Sequence, residues 1–365
     1  LVEVRKLAYD WPIERGSHKP NATPRYLSLH ERAPGQSLVQ ALSRFPLEVP
    51  VGTELKAALP THDFLELRSG HEWREALPTA RIFLPMSDDG RWSFYRLLMS
   101  RKQSLGFFRE SDGSSSDQPT LLQWLRLKPG CFAAILGDPV CHSRTPMEHY
   151  GFFASRAESV LAVRISEFEW REERALEFLQ MLGLRHAAVT APLKTAAFQS
   201  CRKHDEVATR LGSVNTMLWL EEKRMWSGAN TDLIGLQRAV DELRSVHPYF
   251  GPIAVWGGGG TLATAKTVFE GAEFFSARSG ENRIADRVTS EQFRPDTVVW
   301  GVGRGRGSDV RPPVAWKPKQ IIDLNYSDDS PGREYALTIP GCRYVSGLGM
   351  FRAQAEAQRN FWESQ

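Results

Sequence analysis

Ile253-Ala254-Val255-Trp256-Gly257-Gly258-Gly259-Gly260-Thr261 carries a short apolar run straight into four consecutive glycines. The run has strand character, and the glycines let the backbone turn sharply and approach a bulky anion closely. A helix beginning near Thr261 would present its N-terminus to the same anion. Further apolar runs at residues 273–276, 297–300 and 320–323 follow, so strands and helices alternate. That alternation predicts a parallel, doubly wound sheet of Rossmann-like type, with a phosphate-binding loop after its first strand.

About twenty residues beyond the glycines, the second strand ends in Ser276-Ala277-Arg278-Ser279. A site for NAD usually carries an acid there for the ribose hydroxyls, whereas an arginine and a serine suit a 2′-phosphate. Gly257, Gly259, Gly260, Arg278 and Ser279 are therefore candidate cofactor residues, and the cofactor expected is NADP. Leu262 is larger than the residue that usually allows the helix to pack closely at this point.

Upstream, the Lys128-Pro129-Gly130 break marks a boundary near residue 129, and His247-Pro248-Tyr249-Phe250-Gly251-Pro252 marks another. Between them lie strands at 133–136, 160–165 and 187–189. A helix is predicted over 173–182, with Ala175, Phe178, Leu179 and Leu182 on one stripe and Gly183 as its cap. Residues 348–362 read as a closing helix. Four polar runs punctuate this middle region: Gly137-Asp138-Pro139-Val140-Cys141-His142-Ser143-Arg144-Thr145-Pro146, Val189-Thr190-Ala191-Pro192-Leu193-Lys194, Gly212-Ser213-Val214-Asn215-Thr216 and Asn230-Thr231-Asp232. Together they offer hydroxyls, amides, a lysine and a carboxylate, the groups needed to grip a polyhydroxylated ring and move a proton. Lys194, at a strand end pinned by proline, can exchange a proton with a carbonyl or alcohol oxygen. Asp232 opens a helix with the stripe Leu233, Leu236, Val240, Leu243, where a carboxylate complements the dipole and can orient an ammonium group. Ser143 and Thr145, two apart in an expected extended stretch, point the same way and can share a carboxylate or ring hydroxyl.

Composition narrows the partners. At 365 residues with 41% apolar and 24% charged content, the chain is long enough for two or three globular domains. A net charge of +3 with scattered basic residues argues against nucleic acid. Four cysteines (Cys131, Cys141, Cys201 and Cys342) without a C-x-x-C pair form neither a disulfide framework nor a zinc site, and fit a reducing, cytoplasmic setting. His142 and His149 lack neighbours of ligand type, so no metal is expected. No apolar run approaches the roughly 20 residues of a membrane span, and no signal pattern opens the chain. A start at Leu1 reads as a fragment. Oligomeric state is not legible.

With these motifs in hand, residues 132–365 resemble the shikimate dehydrogenase family, whose motifs run G-x-P-x-x-H-S-x-S-P, N-V-T-x-P-x-K, G-x-x-N-T, N-T-D-x-x-G and G-x-G-G in this order. The resemblance implies reversible NADPH-dependent reduction of 3-dehydroshikimate to shikimate, an oxidoreductase step in the shikimate pathway toward chorismate and the aromatic amino acids. It implies that Ser143 and Thr145 bind the substrate carboxylate, that Thr190, Asn215 and Asp232 bind ring hydroxyls, and that Lys194 and Asp232 form the catalytic pair. Gly347-Leu348-Gly349-Met350 and Gln354 match the G-L-G-M-x-x-x-Q run, implying nicotinamide contacts from Gly347 and Met350 and a substrate contact from Gln354. Tyr326 matches a D-x-x-Y that closes over the site. Three departures stand out. Thr145 replaces a serine, as in members that also accept quinate. Ala188 replaces the asparagine before Val-Thr. Trp300-Gly301-Val302-Gly303-Arg304-Gly305 replaces an N-A-T-P loop.

Residues 1 to about 125 resemble the C-terminal half of type I 3-dehydroquinate dehydratase, a (β/α)8 barrel often fused ahead of shikimate dehydrogenase in multifunctional enzymes. Ser28-Leu29-His30 is similar to its S-x-H motif and Glu54-Leu55-Lys56-Ala57-Ala58 to its Schiff-base segment. Arg96 and Gln118 sit where its substrate-binding residues would. The resemblance implies imine formation at Lys56 with His30 moving protons, although the first half of a barrel is not in this sequence. The expected architecture is α/β: a partial barrel-like segment over 1–128, a substrate domain over 129–247 and 347–365, and a Rossmann-like NADP domain over 248–346. Alternatives are a quinate/shikimate dehydrogenase, a shikimate-binding module without turnover, and a lyase resting on Lys56 and His30.

Overall fold

The computed structural model describes residues 10–12, 24–113, 115–245, 250–284, 286–303 and 311–364. Of the segments singled out above, 247–249, Arg304 and Gly305 lie outside them. The chain divides into two compact units. One comprises Leu1–Ala134, Pro139–His142 and Phe153–Leu184; the other comprises Ile135–Asp138, Ser143–Phe152 and Arg185–Gln365.

In the first unit, β1 (Asp10–Pro12), β2 (Tyr26–Leu29), β3 (Glu54–Pro60) and β4 (Arg81–Met86) form a sheet in the order β1-β2-β3-β4. Every neighbouring pair is parallel. Helices Leu38–Leu42 and Phe64–Glu75 make the crossovers. The second of these is started by Asp63, whose carboxylate accepts the Glu66 N–H at 2.8 Å, a cap worth about 1 kcal/mol. Tyr26, Ala58, Ile82 and Leu84 share one apolar cluster, with Met86 and Leu105 against it. The unit also contains β6 (Ser159–Arg164) and the helix Ala175–Met181, which buries Ala175, Phe178 and Leu179 as its stripe predicted.

Two further sheets lie mostly within the second unit. In one, β5 (Phe132–Gly137), β7 (Leu184–Val189), β9 (Thr216–Leu220), β10 (Met225–Ala229) and β8 (Cys201–His204) are successive neighbours. β9 runs antiparallel to both β7 and β10. In the other, β11 (Ile253–Gly257), β12 (Glu273–Phe275), β13 (Thr297–Gly301), β14 (Gln320–Asp323) and β15 (Arg343–Val345) are all parallel in the order β12-β11-β13-β14-β15. Strand alternation sorts this sheet's side chains onto two covered faces. Ala254, Trp256, Val298, Trp300 and Ile321 join Trp316 and Tyr335 on one. Val255, Val299 and Ile322 join Leu236, Val240, Leu243 and Met350 on the other. Each such buried side chain contributes about 1.5–3 kcal/mol, and burial of both faces is why these strands read as continuous apolar runs.

Strand order reverses between β11 and β13, so a crevice opens at their carboxyl ends. The glycine loop lies on one side of that crevice and Val302-Gly303 on the other. Among the described residues no helix is long and apolar enough to cross a membrane.

Candidate active site

An antiparallel hairpin brings the polar motifs together. Thr216 opens β9 and pairs with Ala229 at the end of β10, so the residues just outside that register pair, Asn215 and Asn230, face each other. Asn230 Nδ2 donates to the Ser213 carbonyl at 2.9 Å, and its Oδ1 accepts the Asp232 N–H at 3.0 Å. Asn215 Nδ2 donates to Asp232 Oδ1 at 2.8 Å and to Thr231 Oγ1 at 3.1 Å. Its Oδ1 accepts from the Thr231 N–H at 2.9 Å and from Thr216 Oγ1 at 2.8 Å. The amide is thus fixed at both ends, all of it buried.

β7 delivers the lysine. Ala188 pairs with Thr216, and the Val189 N–H donates to the Asn215 carbonyl at 2.8 Å. After Thr190, whose N–H donates to the Leu136 carbonyl at 2.9 Å, the chain turns into the helix Lys194–Ser200. The Lys194 carbonyl accepts the Val214 N–H at 2.9 Å, which fixes the lysine beside the hairpin. Lys194 Nζ stands 2.5 Å from Asp232 Oδ2, with side-chain exposures of 14% and 4%. Asp232 is the first residue of the helix Asp232–Arg244, where its charge complements the dipole. Gln354, from the helix Leu348–Glu363, donates from Nε2 to Asp232 Oδ1 at 2.8 Å. Lys194, Asn215, Asp232 and Gln354 therefore form one constellation. Thr190 lies one turn before the lysine and shares no hydrogen bond with it.

Ser143 and Thr145 correct one expectation. They do not lie on an extended stretch: Arg144 has helical dihedrals (φ −80°, ψ −7°) and Thr145 opens the short helix Thr145–Glu148. Ser143 Oγ instead accepts the Thr145 N–H at 3.2 Å. Pro146 is the physical reason, since it is pre-set for the first turn of a helix and needs no N–H partner. Arg144, between them, lies over the Tyr326 ring at 5.7 Å, and the Tyr326 ring packs at a tilt against Phe351, centroids 4.5 Å apart. Tyr326 follows β14 in a loop anchored by buried Asp323, which accepts from the Asn325 N–H at 2.9 Å and from the Ser330 hydroxyl. Burial pushes the Asp323 carboxyl above its ordinary range, and those same hydrogen bonds oppose the rise. Asn325 Nδ2 also donates to the Val302 carbonyl at 2.9 Å, tying the loop after β14 to the altered loop after β13.

The phosphate-loop candidates meet a stringent steric condition. Gly257, Gly258 and Gly259 have φ of 86°, 109° and 35°, values costly to any residue with a Cβ. A Cβ on Gly257 would stand 2.5 Å from Val302 Cγ2, whereas one on Gly259 would meet nothing within 4 Å. The loop's inner side is packed and its outer side is open to an approaching anion. Ser276 Oγ shapes the turn after β12 by accepting the Arg278 N–H at 3.2 Å. Both Arg278 and Ser279 are exposed there, next to the glycine loop because β12 and β11 are neighbours. Leu262 is partly buried against the apolar cluster beneath. Gly347 donates its N–H to the Asn325 carbonyl at 3.0 Å. Met350 is 4% exposed and belongs to that cluster.

In the first unit Lys56 is buried on β3 and registers with Ser28 on β2. His30 is exposed beyond the end of β2. Arg96 is buried in the helix Ser93–Met99, donating to Ser115 Oγ at 3.4 Å in the loop that leads to buried Gln118. The structure thus joins Arg96 to the Gln118 loop and Lys56 to Ser28.

Sequence reading missed two buried groups behind the constellation. His149, considered above only as a metal ligand, contacts Gln358 through Nε2 at 3.0 Å, and Gln358 Nε2 donates to the Asn215 carbonyl at 3.2 Å. The signal was available: Gln354, Gln358 and Trp362 recur at helical spacing, and a glutamine on an otherwise apolar stripe needs a partner.

Residues 135–217 match the family described as the shikimate dehydrogenase substrate binding domain. The chain is 35% identical over 254 residues to shikimate dehydrogenase (NADP(+)) of Mesorhizobium japonicum, covering 63% of this chain and 89% of that protein. It is 30% identical over 258 residues to the enzyme of the same name from Moorella thermoacetica, covering 63% and 86%. Among solved structures, shikimate 5-dehydrogenase of Thermus thermophilus in complex with NADP(H) and shikimate aligns with a TM-score of 0.50 at 25% identity, covering 64% of this chain and 94% of that one. Shikimate dehydrogenase 1 of Peptoclostridium difficile shares the fold with a TM-score of 0.53, covering 64% and 92%. With its motifs assembled around Lys194 and Asp232, the chain belongs to the shikimate dehydrogenase family.

Proposed function

We propose that this chain interconverts shikimate and 3-dehydroshikimate with NADP. The observation that carries the proposal is the Lys194–Asp232 pair, 2.5 Å apart and held by Asn215 and Gln354 on the carboxylate's other oxygen. The steric fit of the glycine loop supports a dinucleotide beside it, with Gly257, Gly259 and Gly260 under the pyrophosphate and Arg278 and Ser279 at a 2′-phosphate. When bound, that cofactor supplies or accepts the hydride.

The protein's own residues manage the proton and the geometry. Lys194 in its amine form receives the proton of the ring hydroxyl being oxidised and becomes the ammonium, which returns that proton to the forming alkoxide in the reverse direction. Asp232 keeps the ammonium aimed at that oxygen and accepts from a neighbouring hydroxyl. Asn215 and Gln354 hold the carboxylate in one rotamer, so the pair is organised before substrate arrives. Ser143 and Thr145 bind the ring carboxylate, with Arg144 adding positive charge nearby. Thr190 contacts a ring hydroxyl, and Tyr326 covers the ring. Gly347 and Met350 flank the nicotinamide side.

Spectrophotometric NADP reduction with shikimate tests this reading, with quinate and NAD run in parallel. Turnover with shikimate and NADP is expected. A folded protein without turnover would overturn the reading, and turnover mainly with quinate would move the specificity to Thr145.

The three sheets support a three-domain division, with a dehydratase-like segment over 1–128, the substrate domain over 129–247 and 347–365, and the dinucleotide domain over 248–346. For the first segment, four consecutive parallel strands with helical crossovers favour the barrel-like reading, and buried Lys56 beside Ser28 favours an imine-forming lysine. Borohydride trapping with 3-dehydroquinate tests it: a covalent adduct on Lys56 would make the segment a working lyase, and its absence a dehydratase remnant.

A further inference from the structure

Gln354, Gln358 and Trp362 are spaced i, i+4 and i+8 on the helix Leu348–Glu363, so they project from one face. Each spends its side-chain N–H on the active-site hairpin or on the helix start that follows it. Gln354 donates to Asp232 Oδ1 at 2.8 Å, Gln358 to the Asn215 carbonyl at 3.2 Å, and Trp362 to the Met217 carbonyl at 3.0 Å. The first contact is to the proton-handling carboxylate itself. The second is to the backbone of the residue whose amide holds that carboxylate.

Gln358 is the pivotal member. A carbonyl can only accept, so the Gln358 NH2 faces Asn215 and its Oε1 faces His149. His149 Nε2, 3.0 Å away, must then carry the proton of that bond. His149 is 1% exposed, and burial pushes it down to about 4, so the ring stays neutral and keeps that tautomer at working pH. The Asn215 carbonyl meanwhile also accepts the Val189 N–H at 2.8 Å, from the strand that leads to Lys194. One carbonyl therefore receives the lysine-bearing strand and the glutamine together, and His149 fixes the glutamine from behind. His149 itself ends the short helix that Thr145 begins.

We propose that Gln358, locked by His149, is a positioning residue that sets Asn215, and through it the Asp232 carboxylate, against Lys194. The inference rests on the dehydrogenase reading above. Gln358 itself contacts no substrate, and removing it lets the Asn215 amide, and with it the Asp232 carboxylate, drift from Lys194. The deficit then falls chiefly on turnover, because the lysine–carboxylate geometry matters most while the proton moves.

The test is steady-state kinetics of Gln358→Met and His149→Phe in the full chain, with folding checked by thermal unfolding. For Gln358→Met, kcat is expected to fall about tenfold while KM for shikimate and for NADP stay within about twofold. A kcat equal to that of the parent protein, or a KM rising in step with the loss, would overturn the proposal. If Gln358→Met does not fold, His149→Phe decides, because it removes the bond behind the glutamine and keeps an aromatic ring against Trp362. A fall in kcat of about threefold at unchanged KM supports the proposal, and an unchanged kcat overturns it. A parent protein without shikimate turnover would refute the dehydrogenase reading itself and this inference with it, whereas an active parent with unaffected variants would refute only the inference.

Discussion

Lys194 Nζ and Asp232 Oδ2 are held 2.5 Å apart, and the two oxygens of that carboxylate have separate duties. Oδ2 serves the ammonium, while Oδ1 accepts from Asn215 Nδ2 and Gln354 Nε2, each at 2.8 Å. Rotation of the carboxylate would break all three contacts. The lysine therefore meets an acceptor whose position is set from three elements: the hairpin at the start of β9, the helix that Asp232 opens and the closing helix.

On the proposed mechanism, Lys194→Ala removes the proton-handling group and leaves the ligands of the substrate hydroxyls in place. Turnover is expected to fall by about 10²–10⁴, the usual contribution of a positioned acid–base group, with thermal stability close to that of the parent protein. Asp232→Asn keeps the shape and removes the charge, so its loss should fall on kcat and on KM together. Steady-state rates with shikimate and NADP check both, and a Lys194→Ala protein turning over near the parent rate would remove the lysine from the mechanism.

Arg278 is exposed at the turn after β12, so a substitution there disturbs no packing. A charge-assisted contact to a phosphate contributes about 1.5–3 kcal/mol, roughly 10- to 150-fold in affinity. Arg278→Gln should raise KM for NADP by at least about tenfold and leave KM for NAD unchanged. An equal change for both cofactors would mean that the arginine does not read the 2′-phosphate.

Gly235 is where the helix Asp232–Arg244 touches the closing helix. A Cβ there would stand 2.3 Å from Gln354 Cγ and 2.8 Å from the Met350 carbonyl oxygen. Gly235→Ala would gain helix propensity at an exposed site, yet here the helices must separate, at a cost of about 1–3 kcal/mol. That separation pulls Gln354 from Asp232. A lowered unfolding midpoint together with reduced kcat/KM is expected; a stabilised, fully active variant would show that the helices yield freely.

Much of this arrangement was legible in the sequence, and the limits follow physical lines. The dinucleotide sheet was readable because its strands are buried on both faces, which makes Ile253–Gly257 and Gln320–Asp323 plain apolar runs. Asp232 was readable as a helix opener because the stripe behind it is regular. Ser143 and Thr145 were misjudged because alternation was applied to a segment where Pro146 starts a helix. The helical spacing of Gln354, Gln358 and Trp362 marks Gln358 as a buried polar group, but its partners lie far away in sequence: Gln358 is 143 residues from Asn215, and no local pattern names them. Arg144 over Tyr326 is the same case, a contact between two loops that only the assembled fold creates.

His149 also gives the fold a pH signature. Its ordinary value near 6.5 is pushed down to about 4 by burial. Above 6.5 the ring is neutral both folded and unfolded, so the full stability is present. Between 6.5 and 4 the unfolded chain binds a proton that the folded chain refuses, and stability is lost as pH falls. The shift corresponds to roughly 3 kcal/mol over that window. Denaturant unfolding of the parent protein and His149→Phe at several pH values isolates the histidine, because the other titrating groups are common to both. The stability advantage of the parent protein should shrink by about that amount from pH 6.5 to 4. A difference that stays constant with pH would mean the buried ring takes up its proton as readily in the folded protein as in the unfolded chain.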